Sequence, residues 1–71
     1  MANDDDITGA VGRVSVPIPV DKPGEIILNI RGGSEAFTAY TKNNEALAKF
    51  ARAVVIEQTG PRTVVVTEAS Y

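Results

Sequence analysis

From Val11 to Ile18 apolar and polar positions alternate, with Val14, Val16 and Ile18 on one side and Arg13, Ser15 and Pro17 on the other. Period two is the pattern of a strand with one buried face and predicts a first strand over residues 11–18. Pro17 and Pro19 cannot donate to a ladder, so the end of this strand is expected at an edge or leaving the sheet. Pro23 followed by Gly24 suits the two central positions of a type II turn. Alternation resumes over residues 25–31, where Ile26, Leu28 and Ile30 share one face and Glu25, Ile27, Asn29 and Arg31 share the other. Gly32-Gly33 suits a hairpin turn. A third strand follows over residues 35–41, with Phe37 and Ala39 on one face and Ala36, Thr38 and Tyr40 on the other.

The period then changes. Over Lys42–Ala53, Leu47, Phe50, Ala51 and Val54 fall at helical spacing, Asn44 suits an N-cap and Glu45 suits a first turn. The pattern predicts a short helix. Residues 53–58 and 63–68 read as fourth and fifth strands around the turn Thr59–Arg62. Three strands, a short helix and two strands must hide their edges, and closure does so. The expected fold is all-β, a five-stranded antiparallel Greek-key barrel (OB-fold) spanning residues 8–69, with the helix between strands three and four. An SH3-like barrel is the rival, but it usually has a single 3₁₀ turn at that point. The core candidates are Val14, Val16, Ile18, Ile26, Leu28, Ile30, Phe37, Val55, Val64 and Val66. Leu47 and Phe50, three apart on the helix, are expected to cover the barrel's open end, with Phe50 as a buried plug; the competing expectation is an exposed Phe50 that anchors a partner.

Composition removes whole classes of function. With no Cys and no His, the chain lacks a thiolate nucleophile and the commonest general base and metal ligand. At 71 residues it makes one domain of modest stability. The net charge of −2 is set by Asp4, Asp5 and Asp6 in a polar head, residues 1–7, expected to be a disordered tail; beyond these three, six acids face seven bases. A nearly neutral barrel lacks the clustered basic stripe of a nucleic-acid binder. No apolar run reaches the ~20 residues of a membrane span, and the acidic start is unlike a signal peptide. The chain is expected to be soluble as it stands, and its abrupt polar start suits a piece of a longer protein.

Asp21 and Glu25 are close in sequence, but both flank an exposed turn beside Lys22, where solvated charges are the simpler reading than an acid–base pair. Gly32-Gly33-Ser34 lacks the remainder of a phosphate loop and joins two strands. Single-strand binders of this fold carry aromatic platforms on strands two and three. Here strand two has none, and Phe37 and Tyr40 fall on opposite faces, so at most one stacks a base. No catalytic residue, metal site, cofactor or small-molecule ligand is expected. A binding or structural module remains, with Ile27, Arg31, Tyr40 and Phe50 as candidate partner contacts. A small domain binding single-stranded nucleic acid is the alternative.

The stretches "TGAVGRVSVPI", "PGEIIL", "EAFTAYTKN" and "ARAVVIEQTGPRTVVVTEA" together resemble the C-terminal soluble domain of NfeD-like proteins. Gly9 and Gly12 match that family's Gly-containing opening, Gly24 the turn before strand two, Ala36 and Ala39 a small-residue pattern, and Val54–Ile56, Gly60 and Val64–Val66 the closing β run, Gly turn and β run. The resemblance implies an OB-like barrel hung from upstream transmembrane helices of a bacterial membrane protein, with membrane-scaffold partners of the stomatin/flotillin class and no catalytic residues in this domain. One position departs from the pattern: the family usually places a Gly in the turn before strand four, where this chain has Lys49-Phe50-Ala51.

Overall fold

In the computed structural model, residues 7–30 and 32–69 are described. Five strands form: β1 (Val11–Val16), β2 (Gly24–Ile30), β3 (Gly33–Thr41), β4 (Arg52–Gly60) and β5 (Thr63–Glu68). They close into a barrel in the order β1-β2-β3-β5-β4, with β4 returning to β1. This is the expected OB-type barrel. Four pairings are antiparallel; β3 and β5 run parallel, Thr38–Thr41 against Thr63–Val66.

The β2–β3 hairpin keeps one unbroken register from Gly24↔Ala39 to Ile30↔Gly33. Gly32, at φ 77, takes the left-handed conformation that the turn between these partners needs. The predicted faces hold here: Ile26, Leu28, Phe37 and Ala39 are buried. In β1 the register slips between Val14 and Val16. Val14 stays in the core, but the irregularity turns Val16 out to 49% exposure, against the expectation. Ser15 stands at this slip, where its hydroxyl donates to the Glu25 carboxylate at 2.7 Å. Ile30, near the hairpin end, is only partly buried against the core.

Two glycines let backbones approach. A Cβ on Gly12 would lie 2.0 Å from the Ile27 carbonyl oxygen, and one on Gly24 would lie 2.4 Å from that of Pro17. Gly24 has no positive φ and opens β2, so the type II turn expected at Pro23-Gly24 does not form. Its value is the absence of a side chain.

The predicted helix is absent; the described residues between β3 and β4 form turns and an extended bridge. Asn43 and Asn44 both sit in the left-handed region, at φ 62 and φ 59, which a helix does not allow and Asn tolerates. Beyond them the backbone bonds to β1 and its extension. Leu47 and Ile18 exchange both N–H···O bonds at 2.9 Å, and the Phe50 N–H donates to the Val14 carbonyl at 2.7 Å. The Glu45 carboxylate fastens the segment to β5, accepting from the Thr67 hydroxyl at 2.9 Å and the Glu68 N–H at 3.1 Å. Leu47 is buried in the core cluster, whereas Phe50 is 67% exposed. The plug expected of Phe50 is therefore corrected: Leu47 alone occupies that role, because without a helix the two side chains share no face.

Of the core candidates, Val14, Ile18, Ile26, Leu28, Phe37, Val55, Val64 and Val66 are buried, and Ala53 and Leu47 join them. Ile7 is buried too, although it was expected in the tail; residues 1–6 of that tail lie outside the described residues.

Candidate interaction surface

One row of outward residues crosses four strands. Ala36, Ile27, Arg13 and Arg52 are successive cross-strand partners on β3, β2, β1 and β4. Direct partners place their side chains on the same face, about 5 Å apart at Cβ. The row therefore runs from small and apolar to doubly cationic, ending at the β1–β4 seam that closes the barrel. Arg13 and Arg52 stand directly opposite one another. Beside them Val11, Gly12 and Asn29 complete an open groove of about 300 Å³.

The chain just before β4 adds to this seam. The Arg13 guanidinium donates to the Phe50 carbonyl at 3.3 Å, which holds the Arg13 head group beside the Phe50 turn. The Lys49 ammonium lies 5.2 Å from the centre of the Phe50 ring. Phe50 itself has φ 76, a conformation uncommon for a bulky L-residue, and most of its ring faces solvent. Two of the candidate contacts, Ile27 and Phe50, thus come together around Arg13. Tyr40 does not join them: it pairs with Val65 on the β3–β5 side and is 41% exposed. Arg31 lies outside the described residues.

Other sequence candidates resolve into structure. Phe37 is buried, with the Arg62 guanidinium 5.1 Å from its ring centre and held by Glu35 at 3.0 Å. It is a core residue and no stacking platform. Glu25 is half-buried and receives the Ser15 hydroxyl, while Asp21 is exposed. Ser34 Oγ donates to Asn29 Oδ1 at 2.9 Å within a second groove at the hairpin, lined by Asn29, Ile30, Gly32, Gly33 and Ser34. Among the described residues no group of three or more Asp, Glu, His or Cys is placed to hold a metal ion, and no polar or charged residue is buried. No helix of the described residues is long and apolar enough to cross a membrane.

Sequence reasoning named Ile27 and Phe50 but not Arg13, Lys49 or Arg52. The missing signal was the closing pair: once β4 returns to β1, outward Arg13 within β1 and Arg52 at the start of β4 fall opposite one another.

The family model for the NfeD C-terminal domain matches residues 11–67. The solution structure of the soluble domain of the NfeD protein YuaF from Bacillus subtilis is similar at TM-score 0.81 and 25% identity, over 96% of this chain and 80% of that one. The C-terminal domain of a stomatin operon partner protein from Pyrococcus horikoshii is similar at TM-score 0.74 and 22% identity, over 100% of both chains. No curated protein sequence matches this chain.

Proposed function

The chain belongs to the NfeD C-terminal domain family, and from that premise we propose that it is a non-catalytic interaction module whose partner is a membrane-scaffold protein of the stomatin/flotillin type. The observation that carries this reading is the outer face itself. It gathers an exposed aromatic, an apolar pair and a cationic seam on one side of the barrel. A name among the similar structures, stomatin operon partner, supports the same class of partner. In the proposed setting the barrel is carried by a membrane-anchored protein, and it reaches the membrane only through segments outside this chain.

Single-strand binding is the weaker reading. The β2–β3 face presents no exposed aromatic among the described residues except Tyr40, and Lys42 and Arg62 are engaged with Glu57 and Glu35. Sedimentation velocity of this domain mixed with a stomatin-type protein from the same organism tests the proposal. A faster-moving complex at micromolar concentrations supports it; two independent boundaries refute it.

A further inference from the structure

We propose that the open backbone edge of β3 at Ser34–Ala36 takes an extended segment of the partner as an added strand, with an apolar side chain of that segment lying over Ala36 toward Ile27. This rests on the interaction-module reading above and deepens it by naming the edge, the hydrogen-bonding groups and the form the partner takes there.

The barrel closes over only part of β3. Its pairing with β2 spans Gly33–Ala39, whereas β5 covers Thr38–Thr41. Among the described residues, no strand pairs with Gly33–Phe37 on the side away from β2. In an antiparallel ladder, alternate residues turn both backbone groups to the same side. The Thr38 N–H donates away from β2, to the Arg62 carbonyl at 2.8 Å. Ser34 and Ala36 share the parity of Thr38, so their N–H and C=O groups point to the same open side, ~7 Å apart along the strand. The Arg62 side chain follows the other parity. It meets Glu35 at 3.0 Å and lies 5.1 Å from the centre of the buried Phe37 ring, so it closes the gap from the inner side. The Ser34 hydroxyl is committed to Asn29 Oδ1 at 2.9 Å and does not fold back on its own backbone.

An unpaired edge is a template for another chain, and proteins commonly blunt it with charge, proline or a bulge. The barrel does so at β4. That strand meets β1 only over Arg52–Val54; beyond, it carries register irregularities at Val55/Glu57 and Gln58/Gly60, and the Gln58 amide donates to the Gly60 carbonyl at 3.0 Å. Gly33–Phe37 has no proline and keeps an unbroken register with β2, and its one charge, Glu35, is paired with Arg62. The edge is also where the outer row begins, Ala36 then Ile27 then Arg13, so an added strand lies in line with that row. Ala36 is small and half-buried, which leaves room for a large apolar side chain of the added strand to reach Ile27. A second copy of this chain is the poorer occupant. The two-fold pairing that sets Ser34 against the second copy's Ala36 puts Glu35 opposite Glu35, each with its own Arg62 to accommodate. A register one pair further into the barrel needs the Thr38 N–H, which the Arg62 carbonyl already holds. An extended segment of a different protein meets neither obstacle, and main-chain bonds to the edge fix its register.

The test uses two probes and two readouts. The probes are the stomatin-type protein and a seven-residue peptide that alternates Val and Thr between lysine ends. The readouts are amide hydrogen exchange on the unmodified domain and the affinities of Ala36→Pro and Ser34→Pro. Each substitution removes one donor from the open edge and leaves the ladder to β2 intact. Protection of the Ser34 and Ala36 amides is expected to rise at least tenfold in either complex, with no comparable change at Thr38. Each proline variant that melts cooperatively is expected to bind both probes at least tenfold more weakly; where neither does, exchange on the unmodified domain decides. Unchanged exchange at both amides, proline variants that bind within twofold of the parent, or no peptide binding at all overturn the inference. So does concentration-dependent self-association that protects the same two amides, which assigns the edge to a second copy. If the stomatin-type protein binds without protecting Ser34 and Ala36, the interaction-module reading stands and this edge falls. If the peptide protects the edge but the stomatin-type protein does not bind, the edge stands and the partner class falls.

Discussion

Replacing Gly12 by Ala is the sharpest single test of the barrel's construction. Gly12 lies mid-strand in β1, paired with Leu28 on one side and Ala53 on the other. An added Cβ would meet the Ile27 carbonyl oxygen at 2.0 Å, its carbon at 2.9 Å and Leu28 Cδ2 at 2.9 Å. The first two atoms are backbone, so relief requires β2 to retreat by about 1 Å, far more than a rotamer change supplies. That movement stretches the β1–β2 ladder bonds around the pair, at a net ~1 kcal/mol each, and displaces the fully buried Leu28. Overpacking of a formed core adds ~1–3 kcal/mol. The expected loss is ~3–5 kcal/mol. In a domain this small, ~1 kcal/mol moves the melting temperature by roughly 4–8 °C, so the transition should fall by ~12 °C or more, or vanish. Gly33→Ala is the matched control. Its added methyl would meet nothing within 4 Å and its φ is not positive, so the variant should melt within a few degrees of the parent or slightly above it. Differential scanning calorimetry reads both. A Gly12→Ala melting point within 4 °C of the parent would refute the close-approach argument and the β1–β2 register with it.

Leu47→Ala should cost ~2–5 kcal/mol, because Leu47 is the buried residue beside Ile18 at the open end, whereas Phe50→Ala should shift the melting temperature by only a few degrees; chemical denaturation of the two variants checks the ranking. Arg62→Ala should cost about 1 kcal/mol by uncovering the Phe37 ring and releasing the exposed Glu35 contact, read as a loss of Phe37 ring-proton shift dispersion together with a small drop in melting temperature. Fluorescence anisotropy with oligo-dT and a mixed-sequence RNA should show no micromolar binding at physiological salt; retention of tight binding there contradicts the ranking of partners.

Where the chain's structure is local, its pattern was readable. The β2–β3 hairpin has unbroken register, so strict alternation placed Ile26, Leu28, Phe37 and Ala39 correctly. The β1 error has a physical cause: a slip in register between Val14 and Val16 turns Val16 outward, and periodicity carries no mark of it. The missing helix has another cause. Helical spacing of Leu47, Phe50 and Ala51 was overridden by bonds to Ile18 and Val14, far away in sequence, and by two left-handed asparagines. The same distance hid the seam. Arg13 becomes a neighbour of Phe50 and Arg52 only when β4 closes on β1, so charges that are scattered along the chain meet on one surface of the barrel. The lysine–aromatic–alanine turn was legible as unusual, and φ 76 at Phe50 supplies the reason.

The proposed function requires this barrel to bind a stomatin/flotillin-type protein. Isothermal titration of the purified domain into such a protein from the same organism addresses it directly. Saturable one-site binding in the micromolar range or tighter is expected, abolished by combining Arg13→Glu with Phe50→Gly in a variant that still melts cooperatively. Heats no larger than dilution across the titration, with the parent domain folded, would contradict it.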